Sequence, residues 1–299
     1  MLKSEQAEIS QLRKESDTSM LHFIALDLDG TLLHTSKGLT DRTRTILTKY
    51  IEQGAHVVVA SGRSYASLPQ EVLSVPGIEY AITSNGAAIC KTSSGEKLFH
   101  FPLKPVCVRQ LLDLIAETGA VFETFINGVP YAMADYVSHP TRYGASEHAI
   151  PYIQRTRKPV SNLLTFAYEH LNELDCIDLI TSSPEQKQLL SERVHNISGI
   201  YITSSVPYLL EISDAAAGKG AAVRKLAEYL HIPTKDIAAF GNEENDVDMI
   251  QFAGIGVAVS NSPAHVQAAA DYVTLSNDED GVAVFLEQLY HDDMSSKTQ

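Results

Sequence analysis

Two aspartates, Asp27 and Asp29, stand at the end of a short apolar run in the stretch FIALDLDGTL, Phe23 to Leu32. Side chains two apart on a strand point the same way, so both carboxylates can reach one small volume at the strand tip. Acids that close repel unless a cation or a shared proton compensates them. A metal-held nucleophile beside a second acid is chemistry that requires such a pair. Other clusters carry groups able to join it. Ser61-Gly62-Arg63 and Ser84-Asn85-Gly86 each follow an apolar run, Lys219 lies between Gly218 and Gly220, and GNEEND contributes Asn242, Asn245 and Asp246. Oxygen ligands for a hard divalent ion, a hydroxyl and an ammonium together suit a phosphoryl group.

The elements that must position these groups alternate between strand and helix. A first strand is predicted over 21–26 and a helix over 40–53, with Gly54 as its stop. Buried strands follow at 56–60 and 80–83. Strand, helix, strand, helix, strand implies a parallel sheet with helices on its faces. The pattern then changes. Paired strands within 89–101, a helix over 105–118 and a hairpin around Asn127-Gly128 lead into an irregular stretch, 135–160. Strands at 177–181, 200–203 and 208–212 and a helix over 184–195 complete that part. From Gly218 the first pattern resumes: helices over 220–230, 247–253, 263–270 and 281–290, with strands at 237–240, 255–259 and 272–274. The expected fold class is α/β: a Rossmann-like parallel-sheet core from 21–87 and 214–290, with an α+β cap inserted at 88–213. A polar extension (1–20) and a polar tail (291–299) flank it. Ligands of such sheets gather beyond the carboxyl ends of the strands, which brings Asp27, Asp29, Ser61, Asn85, Asn242, Asn245 and Asp246 to one edge.

Composition bounds the rest. The net charge is −14 and the pI about 5.2, which argues against nucleic-acid and anionic-membrane partners. No apolar run is long enough to span a bilayer, and 1–19 lacks the apolar core of a signal peptide, so a cytoplasmic location is expected. Met20, just before the first strand, raises the hypothesis of a second translation start there. Cys90, Cys107 and Cys176 are odd in number and widely spaced, and read as reduced small hydrophobes.

At these positions the chain resembles the haloacid dehalogenase-like phosphatases. DLDGTL, SGR, the lysine of GKG, and GNEEND match their four motifs in order, and SNGA with the insertion resembles the Cof-type subfamily, which carries a large α/β cap there. The resemblance implies Asp27 as a nucleophile forming an aspartyl-phosphate and Asp29 as general acid and base. It implies Ser61, Gly62, Arg63, Asn85, Lys219, Asn245 and the Leu28 backbone as phosphate or substrate contacts. It implies a magnesium ion held by Asp27, Asp29 (through its carbonyl), Asn242 and Asp246, and a small phosphorylated metabolite as substrate. One departure is clear: the family's fourth motif usually begins Gly-Asp, whereas this chain has Gly241-Asn242, so weaker magnesium binding is expected.

Other roles stay open at single residues. Arg63 can hold its loop or reach substrate; Asn85 can brace the site or touch substrate. Glu243 and Glu244 fit a solvated charge run. His139 and His148 can face a leaving group or solvent. A phosphomutase or phosphotransferase would use the same intermediate, and a degenerate member would only bind a phosphometabolite.

Overall fold

A computed structural model describes residues 21–296. The polar extension, including Met20, lies outside the described residues. Fourteen strands form two sheets. The larger has the order β14-β13-β12-β1-β2-β3-β4-β5. Its members are β1 (Phe23–Leu26), β2 (His56–Ala60), β3 (Tyr80–Thr83), β4 (Ala88–Lys91), β5 (Lys97–His100), β12 (Ile237–Gly241), β13 (Ile255–Val259) and β14 (Tyr272–Thr274). Pairing is parallel from β14 through β3, whereas β4 and β5 add antiparallel strands at one edge. The smaller sheet has the order β10-β11-β9-β6-β7-β8. It contains β6 (Val121–Ile126), β7 (Val129–Met133), β8 (Lys158–Val160), β9 (Leu174–Ile180), β10 (Ile200–Thr203) and β11 (Leu209–Asp214).

Eleven α-helices are described: α1 (Asp41–Glu52), α2 (Gln70–Leu73), α3 (Pro105–Thr118), α4 (Ala134–Ser138), α5 (Ile150–Thr156), α6 (Leu163–Glu169), α7 (Pro184–Val194), α8 (Lys219–Tyr229), α9 (Val247–Phe252), α10 (Ala264–Ala269) and α11 (Gly281–Ser296). All four residues of β1 are buried, as a strand covered on both faces requires. On one face Leu26, Val57, Val59 and Phe240 pack with Ile46, Leu47 and Tyr50 of α1 and Leu286 of α11. On the other, Phe23, Ala25 and Val58 pack with Val223 and Leu226 of α8 and Met249 of α9. Thr40 starts α1 by accepting from the Thr43 amide at 3.2 Å. These two layers hold β1 between β12 and β2, so three strand tips open at one place.

Three expectations need correction. Residues 88–100 extend the core sheet, because β4 pairs with β3; the inserted unit therefore begins after β5, not at residue 88. The stretch 135–160 holds most of α4 and all of α5 and β8, and its apolar residues Tyr136, Ala145 and Ile153 share a small core with Ile180 and Leu209; two short helices and a short strand carry too little periodicity to read. The last helix continues to Ser296. The hairpin at Asn127-Gly128 forms as expected, with both residues at positive φ. No helix among the described residues is long and apolar enough to cross a membrane.

Candidate active site

Backbone geometry delivers the groups. The chain leaves β1 at Asp27 and turns at Gly30, whose φ of 77° suits glycine and whose absent Cβ leaves room for the Asn242 side chain. The Ser84-Asn85-Gly86 turn is left-handed throughout. There the Asn85 carbonyl accepts from the Gly218 amide at 2.8 Å, which seats the start of α8 against the site.

Lys219 stands at the first position of α8 and is fully buried. Its Nζ donates to Asp27 Oδ1 at 2.7 Å and to Asp246 Oδ1 at 2.6 Å. Asp246 Oδ2 accepts from the backbone amides of Asn242 and Glu243 at 2.9 and 3.0 Å. Asp246 thus holds both the lysine and the loop after β12. Burial alone would lower the Lys219 ammonium, but Asp246 and Asp27 more than offset this and hold it above its ordinary range. Burial, and then Asp246, push the Asp27 carboxyl up to about 7 against the pull of Lys219. Asp27 therefore needs further positive charge to stay fully ionised.

The Asn242 side chain marks where that charge fits. As placed, its oxygen accepts from Thr31 Oγ1 at 3.0 Å. With the amide turned over, its nitrogen would instead lie 3.0 Å from Thr31 Oγ1 and 3.1 Å from both Asp27 Oδ2 and the Asp29 carbonyl. One amide atom therefore faces a carboxylate and a carbonyl at once. With nitrogen inward, the cluster is satisfied by hydrogen bonds. With oxygen inward, three oxygens converge, and a cation or a shared proton must compensate them. That all-oxygen set suits a hard ion such as Mg²⁺. The residues present therefore fit the metal, with Asn242 supplying a neutral ligand.

Asp29 takes a different course from Asp27. Its side chain is 60% exposed and is gripped by Arg63, with Nε to Oδ2 at 2.7 Å and Nη2 to Oδ1 at 2.6 Å. Arg63 also donates to the Ser67 carbonyl at 3.2 Å and stacks on Tyr152 of α5, 4.6 Å from the ring centre. The two acids thus share a cavity but not a direction, because the chain has already left the strand at Leu28.

That cavity, of about 390 Å³, is lined by Asp27, Asp29, Ser61, Gly62, Arg63, Asn242 and Asn245 from the core. Of the remaining expected contacts, Leu28, Asn85, Lys219 and Asp246 stand behind this lining. The Leu28 side chain belongs to the apolar core. Asn85 braces: its Nδ2 donates to Glu211 Oε1 at 3.0 Å and its Oδ1 accepts from Asn245 at 2.9 Å. Ser61 Oγ accepts from the Arg63 amide at 3.2 Å. His139 pairs with Asp135 at the surface, and the side chain of His148 lies outside the described residues.

The second sheet and its helices supply the facing wall, including Phe125, Tyr136, Tyr152, Arg157, Asp178 and Glu211. Motifs did not find these residues. A signal was present all the same: Glu123, Asp178 and Glu211 are acids flanked by apolar residues inside strands, in VFETFI, LDCIDLI and LLEISD.

The family model of the haloacid dehalogenase-like hydrolases matches residues 24–286. The Bacillus subtilis 5-amino-6-(5-phospho-D-ribitylamino)uracil phosphatase YitU is 29% identical over 280 residues, covering 90% of this chain and 97% of its own. Phosphatase YwpJ of the same organism is 26% identical over 285 residues, covering 90% and 100%. A solved haloacid dehalogenase-like hydrolase from B. subtilis has a TM-score of 0.77 at 25% identity, covering 89% of this chain and 99% of that one. A second, from Bacteroides thetaiotaomicron, has a TM-score of 0.74 at 26% identity, covering 90% and 99%. With the match running from β1 into α11, this chain belongs to the haloacid dehalogenase-like hydrolases.

Proposed function

We propose that this protein is a Mg²⁺-dependent phosphatase of a small phosphorylated metabolite, working through an aspartyl-phosphate on Asp27. The observation that carries the reading is the buried Asp27–Lys219–Asp246 bridge beside the Asn242 contact point, with Asp27 and Asn242 lining the cavity. A structural ion pair would not need a third oxygen cluster beside it. The relatives named above support the class, and YitU acts on a phosphorylated ribitylamino compound.

Asp27, Asn242, the Asp29 carbonyl and the charge of Asp246 would hold the metal. When bound, Mg²⁺ would neutralise charge on Asp27 and polarise a phosphoryl oxygen. A carboxylate oxygen of Asp27 attacks phosphorus, the ester P–O bond breaks, and the departing oxygen takes a proton from Asp29. Water then attacks phosphorus with Asp29 accepting its proton; the Asp27–phosphorus bond breaks and phosphate leaves. To do this Asp29 must leave Arg63 and take up a proton from solvent before it meets the leaving oxygen. Lys219 stays fixed and offsets the charge that builds on the phosphoryl oxygens.

The test is phosphate release from a panel of phosphate monoesters, with Mg²⁺ or EDTA, by the wild type and Asp27→Asn. The expected result is Mg²⁺-dependent release that falls at least about 1,000-fold in the variant. Release that survives Asp27→Asn or EDTA would overturn the reading. Phosphate appearing only with an added acceptor alcohol would point to a phosphotransferase.

A further inference from the structure

The cap wall of the cavity carries an ionic pattern that phosphoryl chemistry does not use. Asp178 on β9 is the direct cross-strand partner of Glu123 on β6 and of Glu211 on β11. All three acids are buried. Like charges directly opposite destabilise a sheet, so each needs a compensating group.

Glu123 has one: Arg157 donates to it through Nε at 2.9 Å and Nη2 at 2.6 Å. Glu211 has two, the Asn85 amide at 3.0 Å and the Ser205 backbone N–H. Asp178, between them, has only the Cys176 thiol on its own strand, and its Oδ1 has no partner although the residue is 3% exposed. A buried polar atom left unpaired costs about 1–3 kcal/mol. Nothing in the sheet requires an acid here; a leucine would avoid the penalty. Burial, and then Glu211 and Glu123, push the Asp178 carboxyl well above its usual range, so it is equipped to donate as well as accept. Asp178 also lines the cavity that holds Asp27 and Asp29, beside the rings of Phe125, Tyr136 and Tyr152.

We propose that Asp178 is a specificity-determining residue: it exchanges a hydrogen bond with a hydroxyl on the alcohol part of the substrate, which selects phosphate esters of polyhydroxylated alcohols. This rests on the reading of Asp27 as nucleophile, because that places the phosphoryl group on the core side and the alcohol against the cap. The aromatic rings then cover the carbon skeleton, and the unpaired Oδ1 of Asp178 meets the hydroxyl.

The test compares wild type, Asp178→Asn and Asp178→Leu on ribitol 5-phosphate and glucose 6-phosphate, with para-nitrophenyl phosphate as an ester whose ring bears no hydroxyl. In Asp178→Leu, kcat/KM for the better hydroxylated ester should fall at least about ten-fold more than for para-nitrophenyl phosphate, mainly through KM. Asp178→Asn, which keeps an acceptor and a donor, should lie between. The melting temperature of Asp178→Leu should equal or exceed that of wild type, since the unpaired polar oxygen is gone. Equal losses on all esters, a melting temperature lower by more than about 3 °C, or a wild type that prefers para-nitrophenyl phosphate to both hydroxylated esters would overturn the assignment. If para-nitrophenyl phosphate is cleaved in an Asp27-dependent way, that failure belongs to Asp178 alone. If Asp27-dependent cleavage of every ester is missing, the phosphatase reading falls and takes the assignment with it.

Discussion

Replacing Lys219 by methionine removes a charge while nearly keeping the volume, so little cavity is created at a position that is 1% exposed. The ammonium sits 2.7 Å from Asp27 Oδ1 and 2.6 Å from Asp246 Oδ1, which places those two oxygens within about 5 Å of each other. At an effective dielectric of about 20, two ionised carboxylates at that spacing repel by about 3 kcal/mol. Removing one member of a buried ion pair costs about 3–5 kcal/mol. Lys219→Met should therefore lose about 4 kcal/mol in urea unfolding at pH 8 with EDTA present. Adding Asp246→Asn should return about 2 kcal/mol of this. The neutral amide still accepts from the amides of Asn242 and Glu243 but no longer repels Asp27, and the double-mutant cycle reads the difference. Activity with Mg²⁺ should fall about 100- to 1,000-fold in Lys219→Met. A single variant within about 1 kcal/mol of wild type, or a double variant no more stable than the single, would refute the electrostatic account of this bridge.

Further outcomes follow from the same geometry. Asn242→Asp should bind Mg²⁺ about ten-fold more tightly by calorimetry, or about 1.4 kcal/mol, yet melt earlier in EDTA, because a third acid then faces Asp27; unchanged affinity and melting would speak against the contact point. Gly86→Ala should destabilise by more than about 2 kcal/mol and reduce activity, since a Cβ there would lie 2.3 Å from the Gly218 carbonyl at a φ of 89°; denaturant midpoints close to wild type would contradict it. Arg63→Ala should cost less than about 1 kcal/mol in stability, as Asp29 is well exposed, but lower kcat about ten-fold or more by releasing Asp29 and Tyr152; unaltered kcat would remove Arg63 from the positioning of Asp29.

Much of the core was legible because its signals are local. The runs FIAL, HVVVA and IGVAV are buried on both sides, and a strand of that kind writes its own length into the sequence. Helix α3 carries its apolar stripe, an N-terminal proline and a left-handed Gly119 as a stop, so its ends were readable to the residue. The stretch 135–160 was not, because its order comes from a shared cluster with Ile180 and Leu209 rather than from its own period. The edge strands β4 and β5 were misassigned for a related reason: a hairpin reads the same whether it extends one sheet or begins another, and only the pairing of Tyr80 with Lys91 decides.

The amino-acid sequence alone determined which groups meet at the strand tips, because a parallel sheet with short connections leaves Asp27, Ser61, Asn85 and Asp246 one edge to occupy. Tertiary structure alone decided how each group is employed. It separated Asp27 from Asp29 by giving one Lys219 and the other Arg63, and it made Asn85 a brace by supplying Glu211. It also aligned Glu123, Asp178 and Glu211 across three strands drawn from distant parts of the chain. Strand order follows from local pattern, whereas the partner of a buried charge is set by whatever the rest of the fold brings within about 3 Å.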